Sequence, residues 1–119
     1  MRESDIQNLI MLALSQAGCT VWRNNVGTGW QGKMSRTRTG SIIIDEPRPL
    51  HAGLCVGSSD IIGIAPDGRF LAVEVKTATG KPTQEQIRFI EAVRNRGGIA
   101  GVCRSVQDAL ELLAEQNLG

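Results

Sequence analysis

Residues 60–76 read DIIGIAPDGRFLAVEVK. Two strands, Asp60–Ala65 and Arg69–Thr77, are predicted on either side of Pro66-Asp67-Gly68. A three-residue loop ending in glycine suits a hairpin built from a type I turn and a glycine bulge. With that loop, Ala65 pairs with Arg69, and counting back sets Asp60 opposite Glu74. Lys76 lies two residues beyond Glu74, so strand periodicity sends it to the same face. Two carboxylates and an ammonium therefore converge at one end of the hairpin.

Both faces of this hairpin are otherwise apolar: Ile62, Ile64, Phe70 and Ala72 on one, Ile61, Leu71, Val73 and Val75 on the other. Strands of that composition are expected to be covered by helices on both sides. Burying three charges there is unfavourable unless they pair or hold a metal. A Glu74–Lys76 or Asp60–Lys76 ion pair is one solution. The second carboxylate, and the glycine-bearing approach Gly57-Ser58-Ser59, favour a cation site. Two adjacent carboxylates repel, and a divalent ion removes that repulsion. Oxygen ligands with room for water and phosphate oxygens describe Mg²⁺ or Mn²⁺. Such an ion lowers the pKa of bound water and neutralises charge on a phosphate under attack. A lysine beside it can stabilise developing negative charge.

Outward from the hairpin the chain reads α-β-β-β-β-α-β-α. Ser4-x-x-Gln7 is a candidate capping box for a first helix carrying Ile6, Leu9, Ile10, Ala13, Leu14 and Ala17 on one face, closed by Gly18. Thr20–Arg23 reads as a short strand, residues 24–40 as a long loop, Ser41–Ile44 as a strand and Asp45–Ser59 as irregular. Thr83-x-x-Gln86 caps a second helix that ends at Gly97-Gly98. Ile99–Cys103 is a strand, and Ser105 caps a last helix with Val106, Ala109, Leu110 and Leu113 inward.

The combination of Asp60 with Glu74-Val75-Lys76 resembles the PD-(D/E)XK nuclease signature. Within that superfamily nearly the whole chain resembles the virus-type replication-repair nuclease (VRR-NUC) domains. The shared features are Glu3-x-x-x-Gln7, Arg23-Asn24 after the first strand, and Gly57-Ser58-Ser59-Asp60-Ile61-Ile62-Gly63. Glu74-x-Lys76, Gln86 on the next helix and Gly97-Gly98 complete the set. Ser59 stands where the signature has proline, a position without a chemical role.

The resemblance implies an α/β fold: a restriction-endonuclease-like core with a central mixed β-sheet flanked by helices on both faces. It implies a DNA-cutting enzyme that depends on Mg²⁺ or Mn²⁺. Asp60, Glu74 and the Val75 carbonyl would hold the metal, and Lys76, Glu3 and Gln86 would complete the catalytic set. Gln86 has a second expected role, as capping partner of Thr83. Gln7, Arg23, Asn24, Lys33, Arg36, Arg38, Ser58 and Ser59 would contact DNA. Stand-alone domains of this kind resemble dimeric four-way (Holliday) junction resolvases. A flap or single-strand nuclease is the alternative activity, and a non-catalytic DNA-binding module the alternative class. The intact Asp60, Glu74 and Lys76 speak against the latter.

The 119 residues suit a single domain over 1–119, and 41% hydrophobic residues is ordinary for a globular chain. Net charge is +1, but between Val21 and Ile44 the only charges are Arg23, Lys33, Arg36 and Arg38. A local basic stretch of this kind can neutralise phosphates, with Trp30 as a stacking group. Its alternative is a solvated loop. Gly27-x-Gly29-x-x-Gly32 imitates a dinucleotide fingerprint, but residues 33–40 hold one apolar residue and no crossover helix, so no nucleotide cofactor is expected. The three cysteines have no CxxC spacing and read as reduced, and His51 as a packing residue. With no apolar run of about 18 residues, no membrane contact is expected. The expected setting is the cytoplasm of a bacterial or phage-infected cell. One hairpin site per chain and no base-reading motif point to a homodimer that discriminates DNA by shape.

Overall fold

The computed structural model describes residues 1–117. Leu118 and Gly119, which the single-domain expectation included, lie outside the described residues. The elements are α1 (Glu3–Gln16), β1 (Thr20–Arg23), β2 (Gly27–Arg36), β3 (Ile42–Ala52), β4 (Ile61–Ile64), β5 (Phe70–Val75), α2 (Gln84–Asn95), β6 (Ile99–Cys103) and α3 (Val106–Asn117). The fold is α/β with a mixed sheet in the order β1-β4-β5-β6. The β1–β4 and β4–β5 pairs are antiparallel, and β6 lies parallel to β5 through the α2 crossover.

The β4–β5 hairpin is built as its loop chemistry requires. Ala65 N–H donates to Arg69 O at 2.9 Å, Gly68 N–H donates to Ala65 O at 2.9 Å, and Gly68 takes φ +91°. A side chain at Gly68 would meet the left-handed penalty. Ile64 pairs with Phe70 and Ile61 with Val73, the register that sets Asp60 opposite Glu74.

Period-two alternation then sorts the sheet into two faces. Ile61, Leu71, Val73, Val75, Ile99 and Cys103 pack under α1 and α3 with Ile10, Leu14, Ala109 and Leu113. Ala72 and Ala100 pack on the opposite face under Ile90 of α2, flanked by Phe89 and Val93. Small residues at Ala72 and Ala100 let α2 approach closely. The helix caps divide. Thr83 and Gln86 form the expected reciprocal box, and Ser105 Oγ accepts from Asp108 N–H. For α1 the cap falls two residues earlier than the Ser4 expectation: Arg2 is the N-cap, its N–H donating to Asp5 Oδ2 at 3.2 Å.

The segment expected as loop, short strand and irregular stretch is instead one long antiparallel ribbon. β2 pairs with β3 from Gly27–Ala52 to Arg36–Ile42, with a bulge between Gln31 and Lys33. Thr37–Ser41 closes its tip, where Thr37 N–H donates to Ser41 O at 2.9 Å. The ribbon forms a separate two-stranded sheet, and the molecule measures 59 × 29 × 27 Å with this arm included. No helix among the described residues is long and apolar enough to cross a membrane.

Candidate active site

Asp60 ends the loop that precedes β4, and Glu74 and Lys76 lie at the far end of β5, on the face covered by α2. Glu74 pairs with Val102 of β6 and is 1% exposed. Asp60 lies at the mouth of the site, half-buried, and its Oδ2 accepts the Val75 N–H at 2.8 Å. That bond crosses the hairpin and ties the first carboxylate to the strand bearing the second. The Lys76 ammonium stands 3.6 Å from Glu74 Oε1, and the Lys76 backbone N–H donates to Cys103 O at 3.1 Å. The three charges share one face, as the register requires.

The ion pair satisfies only half of Glu74. Its Oε2 is buried without a hydrogen-bond partner. Burial, then the neighbouring Asp60 carboxylate, pushes the Glu74 carboxyl up to about 8, against the opposing pull of Lys76. A buried carboxyl raised in this way, with one orphaned oxygen and a second carboxylate beside it, fits a divalent cation, which would replace the proton and give Oε2 a partner. Asp60 and Glu74, with the Val75 carbonyl, are the atoms available to hold it.

The approach to Asp60 is fixed by Asn24. Its Nδ2 donates to Ser58 Oγ at 2.7 Å and to Ser59 O at 2.9 Å, while its Oδ1 accepts from Leu54 N–H at 2.9 Å. Asn24 N–H donates to Asp60 O at 2.8 Å. Ser58 Oγ donates to Cys55 O at 2.6 Å. Gly57, at φ +84°, lies so close to α2 that a Cβ would sit 2.7 Å from Glu85 backbone. Strand β1, the 54–60 loop and the start of α2 thus lock together around one asparagine.

Several residues expected at the DNA surface are used inside the protein instead. Asn24 and Ser58 are 7% and 5% exposed and bond to each other, and Ser59 is fully buried with its hydroxyl unpartnered. Their geometry gives Asn24 and Ser58 the task of positioning Asp60. The sequence signal is Arg23-Asn24 after the first strand, and it does not distinguish the two roles. Gln86 Oε1 is taken up by the Thr83 cap at 2.8 Å. Glu3 is exposed at the start of α1, and among the described residues no three His, Cys, Asp or Glu gather as a metal group. The two carboxylates brought together are Asp60 and Glu74. Gln7 is half-buried on α1, Arg23 exposed at the end of β1, and Lys33, Arg36 and Arg38 exposed on the arm.

Asn24→Ala is expected to lower stability by about 2 kcal/mol, since it strands buried partners. The cleavage rate should fall at least tenfold through a looser Asp60. Urea unfolding and single-turnover cleavage check this. A variant of normal stability and normal rate with weakened DNA affinity would return Asn24 to a direct contact role.

The VRR-NUC domain family model matches residues 1–107. A solved structure of a VRR_NUC domain superposes with a TM-score of 0.57 at 22% sequence identity, covering 94% of each chain. At that identity the superposition speaks for the fold. A search of curated proteins gave no match. With the family model spanning α1, the hairpin, the carboxylate–lysine site and α2, the chain belongs to the VRR-NUC family and is a nuclease domain of the PD-(D/E)XK type.

Proposed function

We propose that the domain is a metal-dependent, structure-specific endodeoxyribonuclease that works as a homodimer on branched DNA, foremost four-way junctions. The observation that carries the catalytic part is the buried Glu74–Asp60 pair with its orphaned Oε2 beside Lys76. Bound there, Mg²⁺ or Mn²⁺ supplies neutralisation of phosphate charge and a more acidic water. Asp60, oriented by the Val75 N–H, and Glu74 would hold that ion, and through it the reacting phosphate. Lys76 donates to the attacking water or to the phosphate oxygens as charge builds on them. The three free thiols accord with a reducing compartment such as the cytoplasm.

The substrate reading rests on different features. Lys33, Arg36 and Arg38 project on the arm, and Arg23 lies at the end of β1. Cations on backbone-like surfaces bind phosphates without reading bases, which leaves DNA shape as the discriminant. One site cuts one strand, so two symmetry-related strands need two protomers. The decisive assay offers labelled four-way junction, flap, single-stranded and duplex DNA with Mg²⁺, Mn²⁺ or EDTA, scoring paired incisions. Paired, symmetric cuts on the junction are expected, and none in EDTA. Unpaired cuts with no preference for junctions would remove the resolvase reading and leave a metal nuclease. Cleavage in EDTA would remove the metal.

A further inference from the structure

Cross-strand pairing places Trp22 beside Ile62 and Ala72, and Thr20 beside Ile64 and Phe70, all on the α2 face of the sheet. Helix α2 covers only the β5–β6 half of that face, through Ala72 and Ala100. The β1–β4 half, with Phe70 at the start of β5 beside it, is bare. Trp22 is 52% exposed, Ile64 45% and Phe70 40%. A second bare apolar surface belongs to the arm, where Trp30, Met34, Ile42, Ile43 and Leu50 are all exposed. Along the whole of β2 and β3 only Ile44 is even half-buried.

A lone two-stranded ribbon is at best marginally stable in water. This one has apolar residues on both faces: Met34 pairs with Ile44 on one, and Ile43 with Ser35 on the other. DNA would engage Lys33, Arg36, Arg38 and Arg48 but would leave these aliphatic side chains wet. Apolar area on this scale calls for an apolar partner. The same chain carries one, the bare half-sheet.

We propose that two copies of this chain pack through the bare β1–β4 half of the sheet, and that each arm extends over its partner. This rests on the dimer reading given above and specifies its interface. The size is adequate. A ten-residue strand spans about 33 Å, so the two faces of the ribbon, with the half-sheet patch, reach the order of 800 Å² that a specific interface needs per partner. The placement suits paired incision as well. Asp60 lies two residues from Ile62 on the same chain segment, and Glu74 four from Phe70, about 7 and 13 Å along the strands. The interface therefore borders the two cutting sites and fixes their separation.

Light scattering of the full chain at micromolar concentration tests this with two double variants. Trp22→Glu with Ile64→Glu charges the patch, and Met34→Glu with Ile42→Glu charges the arm. All four positions are exposed, so the fold should persist, with circular dichroism as the check. Should either pair lose the fold, Trp22→Ser with Ile64→Thr and Met34→Ser with Ile42→Thr replace them. The unaltered chain is expected at twice its 12.8 kDa. The patch variant is expected at the monomer mass, and the arm variant should dissociate at least tenfold more readily. A monomeric unaltered chain would sink the dimer reading itself. A dimer that both folded variants preserve would overturn only this interface. Dimeric variants that have lost DNA binding would reassign the surface to DNA.

Discussion

Glu74→Gln is expected to abolish cleavage and, in the metal-free protein, to raise stability at alkaline pH. Both effects follow from one carboxyl group. Burial, then the Asp60 carboxylate, raises the Glu74 carboxyl to about 8 from an ordinary 4.5. The folded state therefore holds a proton there that the unfolded state gives up near 4.5. Its contribution to stability is fully present below about pH 4.5 and is lost as pH rises to about 8. A shift of that size corresponds to a loss on the order of 5 kcal/mol. Glutamine is isosteric and stays neutral, so the variant escapes this loss. Its melting temperature in EDTA at pH 8.5 should exceed that of the unaltered chain by roughly 10–20 °C. Mg²⁺ or Mn²⁺ should narrow the gap by stabilising only the carboxylate form. Thermal scans at pH 5 and 8.5, with EDTA or cation, read all of this. A metal-free chain whose stability is flat between those pH values would refute the buried-carboxyl reading. A Gln variant that still cuts would refute the catalytic one.

The hairpin was legible in the sequence because its information is local. A turn of known length fixes the register, and register fixes which side chains share a face. Asp60, Glu74 and Lys76 come together by that count. The arm was not legible, for the converse reason. Strand recognition depends on alternation between a buried and a wet face, and β2 is exposed at every position. The glycines of β2 and the prolines at 47 and 49 of β3 resemble a loop, yet the outer edges of a two-stranded ribbon tolerate them. The helix stripes were read within a residue or two. Leu9 and Leu110 are exposed, at 46% and 40%, while Leu112, not singled out, is buried. A 3.6-residue period leaves boundary positions that only the packed neighbour decides. Asn24 shows a different limit. A polar residue beside an active-site motif can serve the ligand or the loop, and three hydrogen bonds from its side chain, invisible in the sequence, decide for the loop.

Lys76→Ala is expected to lower the cleavage rate by about 10²-fold or more, the usual effect of losing one transition-state donor. The 3.6 Å contact with Glu74 Oε1 admits a second explanation, in which Lys76 merely neutralises Glu74. The two differ in what restores activity. Lys76 holds the Glu74 carboxyl down against burial, so its removal should push that carboxyl higher still and favour the protonated form. If neutralisation were the whole role, high pH and excess cation would ionise and saturate the site, and the variant would recover. If the ammonium acts on the reacting oxygens, the defect in kcat persists under those conditions while KM changes little. Lys76→Arg gives a further discrimination. A planar guanidinium keeps the positive charge but cannot reproduce the compact ammonium at the 15%-exposed position beside Glu74. It should therefore rescue cation affinity, measured by titration calorimetry, without rescuing kcat. Near-normal kcat for Lys76→Ala at saturating Mg²⁺ and pH 9 would reduce Lys76 to a structural counter-ion.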